Sequence, residues 1–137
     1  MLETKELEKE IKGRIANVMP NLELKQIKFC VGTDSSPEGT YIYMENDKYY
    51  YVFTEKGKIR EKKELVTEDD VLWYVLEVVL FNVAMDYAIK NRKKGEDFRR
   101  ILFKKEIELY SRFGENFKMR KVEAINRILE CNPYIDK

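Results

Sequence analysis

Residues 71–89 read VLWYVLEVVLFNVAMDYAI, and how this run is taken decides the fold. It is the longest apolar run in the chain and holds the only tryptophan, Trp73. Wound at about 100° per residue, its apolar side chains point in every direction. A helix that is apolar all round belongs inside a protein core or inside a membrane. Glu77, Asn82 and Asp86 interrupt the run, and a charged side chain at mid-bilayer is costly. The stretch therefore reads as a central core helix that the rest of the chain must cover.

The signals at its ends agree. Thr67 stands where an N-cap would, with Asp70 three residues on, and Val66 and Val71 occupy the positions of a hydrophobic staple. Glu68, Asp69 and Asp70 place negative charge on the positive end of the helix dipole. Lys90, Arg92, Lys93 and Lys94 place positive charge at the other end, and Gly95 is the candidate for the turn that ends the helix.

Upstream, Leu7, Ile11, Ile15, Val18, Met19 and Leu22 fall on one helical stripe, which predicts an amphipathic helix over residues 3–18 stopped by Pro20. Ile27, Phe29 and Val31 alternate with Lys28 and Cys30 as a short strand. The segment 32–39, GTDSSPEG, has loop composition. Residues 40–44 and 49–54 are rich in aromatic and β-branched residues and flank Glu45-Asn46-Asp47-Lys48, the pattern of a hairpin. Tyr41 and Tyr43 share one face of its first strand; Tyr49, Tyr51 and Phe53 share one face of the second. A turn at Glu55-Lys56-Gly57-Lys58 leads into a charged strand near 59–65, suited to a sheet edge. Downstream, two more helices follow, one opened by Glu96 or Asp97 and ended by Gly114, the last capped by Asn116 and stopped by Asn132-Pro133. The expected fold is α+β: an N-terminal helix, a small antiparallel three- to four-stranded meander, then three helices packed around a central buried one.

At 137 residues the chain is one domain's worth, expected to span 1–137. Net charge is only +1, with residues 1–70 at −3 and residues 71–137 at +4. No overall field calls for a polyanion or an anionic membrane. Cys30 and Cys131 lie far apart and read as two buried thiols of a reducing compartment. The first fifteen residues are charged from the third onward and lack the apolar core of a signal peptide, so a cytoplasmic location is expected.

The chain has no histidine, which removes the commonest general base and the commonest metal ligand together. No glycine-rich phosphate loop, paired Cys-x-x-Cys or His-Glu-x-x-His motif is present. No catalytic residue, metal site or cofactor is assigned. Glu77 falls between Ala84 and Ala88 on the helical wheel, and a carboxylate there needs a partner. Arg99 or Arg100 on the next helix would supply one, as an internal ion pair docking the two helices. A carboxylate-based hydrolase around Glu77 is the weakest reading. A nucleic-acid module using the basic 92–121 region is the alternative, and the near-neutral balance with Glu96 and Asp97 argues against it. The tyrosine-rich hairpin is the better surface for a protein partner, since tyrosine gives large contact area at low entropy cost.

One family shares the order of these features. It runs from the Gly/Pro loop through Tyr50-Tyr51-Val52, Glu55-Lys56-Gly57, a buried helix with Ala84 and Tyr87 and the run Asp97-Phe98-Arg99-Arg100-Ile101-Leu102-Phe103 to a final Asn132-Pro133-Tyr134. In these the chain, over about residues 32–136, resembles the family catalogued as immunity protein 63, found beside bacterial polymorphic toxins. The resemblance implies a non-enzymatic inhibitor that binds a cognate toxin C-terminal domain. Asp97, Arg99, Arg100 and Phe103 match the family motif, but their periodicity suits core and helix-docking roles rather than toxin contact. The expected contact residues are Asp34, Glu38, Tyr41, Tyr43, Glu45, Asp47, Tyr49 and Tyr51, an acidic and aromatic set on the sheet and loop side.

Overall fold

A computed structural model describes residues 1–30 and 38–137. The elements run α1 (Thr4–Val18), β1 (Ile27–Phe29), β2 (Gly39–Glu45), β3 (Lys48–Glu55), β4 (Lys58–Leu65), α2 (Glu68–Lys90), α3 (Phe98–Ser111) and α4 (Glu115–Cys131). The chain is α+β, helix first, then sheet, then helices. Its residues group into two compact units, Met1–Val75 and Leu76–Lys137, with the division inside α2.

The first unit is built on a four-stranded sheet in the order β1-β2-β3-β4. Asn46 and Asp47 both adopt left-handed backbone, with φ of 52° and 57°. That is the two-residue turn whose twist matches a right-twisted hairpin. It fixes the register: Glu45 faces Lys48, Tyr43 faces Tyr50, and Tyr41 faces Val52. Lys56 and Gly57 repeat the device between β3 and β4. The meander expected from the sequence is thus β2-β3-β4. β1 joins it parallel to β2, with Ile27 beside Thr40 and Phe29 beside Ile42, so the sheet is mixed. β4 is an edge, exposed from Lys58 to Glu64. Its charged side chains discourage another strand from pairing there.

α1 buries Leu7, Ile11 and Ile15, the stripe its sequence period predicts. Thr4 at its start accepts a hydrogen bond from the Met44 backbone N–H at 3.0 Å, tying the helix to β2. Arg14 reaches Asp69 in the first turn of α2 at 2.6 Å.

α2 begins as expected, with the Thr67 hydroxyl accepting from the Asp70 N–H at 3.1 Å. The staple does not form: Val71 is buried while Val66 is 71% exposed. Nor is the helix buried throughout. Val71, Leu72, Trp73, Val75, Leu76, Val79 and Leu80 are inside, but Phe81 and Ile89 are 44% and 60% exposed. By length and composition alone α2 could cross a membrane. The helix is closed by Asn91, whose side-chain amide donates to the Tyr87 carbonyl at 2.9 Å. Gly95, expected to end α2, lies farther on. Its positive φ and crowded surroundings serve a contact with residue 137, whose N–H donates to the Gly95 carbonyl.

In the second unit, α3 is capped by Asp97, which accepts from the Arg99 N–H. It buries Leu102, Phe103, Glu106, Leu109 and Tyr110. α4 starts after Gly114, with φ of 118°, rather than from an Asn116 cap. It buries Phe117, Lys121 and Ile125. Cys131 at its end is exposed and Cys30 half-buried, so the expected pair of buried thiols is not found.

Candidate functional site

The hairpin register sorts the tyrosines onto the two faces of the sheet. Tyr49 and Tyr51 point toward the helices of the first unit. The Tyr49 hydroxyl accepts from the Leu2 N–H at 2.9 Å, and the Tyr51 ring lies 5.2 Å from that of Tyr74 on α2. Both are buried. They are core residues, not the exposed contacts the sequence suggested, because the strand's apolar face must cover helices.

Tyr41 and Tyr43 point to the opposite face, where they form a second cluster with Val52, edged by Cys30 and Tyr50. Tyr43 lies between Tyr41, 6.0 Å away, and Tyr50, 5.1 Å away, in a stacked row. Tyr41 and Tyr43 are 3% and 7% exposed, so their rings too are mostly spent on packing. Burial pushes the phenols of Tyr43 and Tyr49 above the ordinary tyrosine value. Tyr50, part of the Tyr50-Tyr51-Val52 step of the family pattern but not among the expected contacts, is the half-exposed member of the row. The Lys62 ammonium sits 5.0 Å from its ring centre, and Glu64, beside it in register, pairs with Lys48 at 3.3 Å.

Of the expected acidic residues, Glu45 and Asp47 are exposed at the hairpin turn, next to this row. Asp47 also has a backbone reason to be there, since aspartate tolerates left-handed φ. Glu38 is exposed, but its carboxylate accepts from the Lys56 and Gly57 N–H groups at 2.9 and 2.7 Å. It anchors the β3–β4 turn. Asp34 lies outside the described residues.

In the second unit the charges pair differently from expectation. The partner of Glu77 is Lys121, at 3.2 Å, and the same ammonium lies 3.2 Å from Glu106. Glu77 is half-exposed, whereas Glu106 and Lys121 are buried. Burial raises the Glu106 carboxyl above its usual range, against the pull of Lys121. The sequence signal for Lys121 was available: it sits midway between Phe117 and Ile125, at i+4 and i−4, on the buried stripe of α4.

Arg99 and Arg100 bind residues 132–137 instead. Arg99 donates to the carbonyls of Asn132 and Pro133, both at 2.9 Å, and to Asp97. Arg100 makes a forked pair with Asp136 at 3.0 to 3.2 Å. Asp97 also accepts from the Ile135 N–H at 2.8 Å. Hydrogen bonds from the Arg99 side chain and from the Ile135 and Arg99 backbone hold its carboxyl far below the usual range. Tyr134 completes the clasp, with the Arg100 guanidinium 4.2 Å from its ring centre and the Phe103 ring 6.3 Å away. A guanidinium caught this way fixes a chain segment, and two arginines so engaged are not free to meet Glu77.

A family model described as Immunity protein 63 matches residues 45–127. The chain belongs to the immunity protein 63 family. The matched residues take in β3, β4, α2 and α3 whole, most of α4, and the turn at Glu45 and Asp47. They leave out α1, β1, almost all of β2 and the clasped residues 132–137. Tyr50, Lys62 and Glu64 lie within the match, as do Glu77, Glu106 and Lys121; Tyr41, Tyr43, Asp34 and Glu38 do not. No curated protein and no solved structure matches the chain.

Proposed function

We propose that this immunity protein binds and neutralises a cognate toxin domain by direct protein–protein contact, without catalysis, in the cytoplasm of the cell that makes it. The observation that carries the reading is membership of the immunity protein 63 family through residues 45–127. Sequence chemistry supports the non-enzymatic part, because a chain without histidine lacks the usual proton shuttle. The whole chain would act as one immunity domain, its sheet supplying a contact surface on helical support.

That surface is centred on Tyr50, with Lys62 and Glu64 beside it and Glu45 and Asp47 at the neighbouring turn. A half-exposed aromatic rimmed by charges of both signs is the arrangement from which interface hot spots are drawn. The packed row Tyr41–Tyr43–Tyr50 holds the half-exposed ring in one orientation, so little entropy is lost when a partner covers it. Co-expression with the toxin domain encoded next to this chain tests the reading. Growth is expected to survive with the chain and to stop without it; growth arrest in both cases would refute neutralisation.

A further inference from the structure

A groove of about 390 Å³ opens in the second unit, between the end of α2 and the outer side of α3. Its apolar part is Tyr87, 43% exposed, and the half-buried Ile101. Two of its cations are already engaged: Arg100 by Asp136, and Lys105 by Glu108 at 2.9 Å with its ammonium 4.5 Å from the Tyr87 ring centre. Glu108 is drawn down to about 2 by Arg112 first and then Lys105, so it stays ionised. Lys93 and Lys104 are different. Both line the groove, both are exposed, and neither has a carboxylate within ion-pair distance among the described residues. The exposed Lys90, Arg92 and Lys94 add to the same positive field.

Unneutralised cations beside an apolar floor suit a ligand that carries both negative charge and an apolar group. Phosphate chains are the poorer match. A phosphate chain would leave the apolar floor of Tyr87 and Ile101 unfilled, whereas a peptide segment brings charge and an apolar side chain together. We propose that this groove takes an acidic segment of the toxin partner, one or two carboxylates on Lys93 and Lys104 and a neighbouring apolar side chain against Tyr87 and Ile101. The inference rests on the reading of the chain as a toxin-binding immunity protein and gives that partner a chemistry. Charge pairing of this kind speeds encounter and selects the partner, and reversing it sets like charges face to face, which lowers affinity as well.

The test uses the full chain, the purified toxin domain and a short probe peptide carrying two glutamates next to a phenylalanine. The same peptide with glutamines serves as control, and a short single-stranded RNA as competitor class. Nuclear magnetic resonance should show shifts at Tyr87, Ile101 and Lys104 with the acidic peptide and none with the control. The double substitution Lys93→Glu and Lys104→Glu should abolish those shifts and weaken toxin binding by about tenfold or more, with a smaller loss at high salt. Lys118→Glu, on α4 and outside the groove lining, should leave both readouts unchanged. Peptide-independent shifts, or toxin affinity indifferent to the double substitution, would overturn the groove's role even if the toxin binds. RNA bound in the groove more strongly than the acidic peptide would overturn it in favour of a nucleic-acid ligand. If the toxin does not bind at all, the neutralisation reading falls, and the peptide shifts alone decide whether the groove selects acidic segments.

Discussion

The two faces of the sheet carry the same residue type to different ends. On the face toward α1 and α2, Tyr49 and Tyr51 are sealed by helices, and the Tyr49 hydroxyl is held by a backbone N–H. On the other face the tyrosines stack along the sheet, and the row ends in the half-exposed Tyr50 under Lys62. A tyrosine count therefore says little about which surface meets a partner; register does. One side of β3 is packed under helices; on the other, Tyr50 stays half-exposed beside the buried Val52.

The largest expected effect is on the sealed face. Tyr49 is fully buried, and Tyr49→Ala should cost about 4 kcal/mol, as large-to-small changes at packed aromatic sites do; urea unfolding reads it. Tyr43→Ala should cost about 2 to 3 kcal/mol, less because the smaller cluster can relax around the gap. Equal losses at the two positions would mean the outer cluster is as much core as the inner one. Tyr50→Ala should change stability by less than about 1 kcal/mol, as half-exposed positions usually do. The same substitution should weaken toxin binding by about tenfold or more if the ring anchors the interface.

The smallest effect is on pH dependence. Burial raises the phenols of both Tyr43 and Tyr49 above 10.0. A raised native pKa means that the stability these groups contribute is complete below pH 10.0 and is lost as pH climbs beyond it. Stability of the wild type should therefore decline on the alkaline side. Tyr43→Phe and Tyr49→Phe should each flatten that decline, measured by urea midpoints at increasing pH.

Much of the fold was legible because local chemistry is strong where it was read. The stripe of Leu7, Ile11 and Ile15, the Thr67 cap and the Asn46-Asp47 turn each have one good structural answer, and each adopts it. The turn even contains the pairing of Tyr43 with Tyr50, since residues opposed across a two-residue loop follow by counting outward. What the sequence could not supply was competition among partners. Glu77 had several arginines and lysines within plausible reach, and Lys121 took it because α4 buries that position. Arg99 and Arg100 were drawn away by carbonyls and a carboxylate more than thirty residues downstream. The exposure of Phe81 and Ile89 was hidden for a similar reason: an all-apolar helix does not reveal which of its turns the other elements reach.

The proposed function requires capture of a toxin domain through the Tyr50 side of the sheet. Titration calorimetry with the purified toxin domain tests it most directly. A saturable complex with submicromolar affinity, roughly −8 kcal/mol or stronger, is expected, and a markedly weaker one with Tyr50→Ala. No heat of binding with the wild type would contradict the neutralisation claim, and unchanged affinity with Tyr50→Ala would contradict the surface assigned to it.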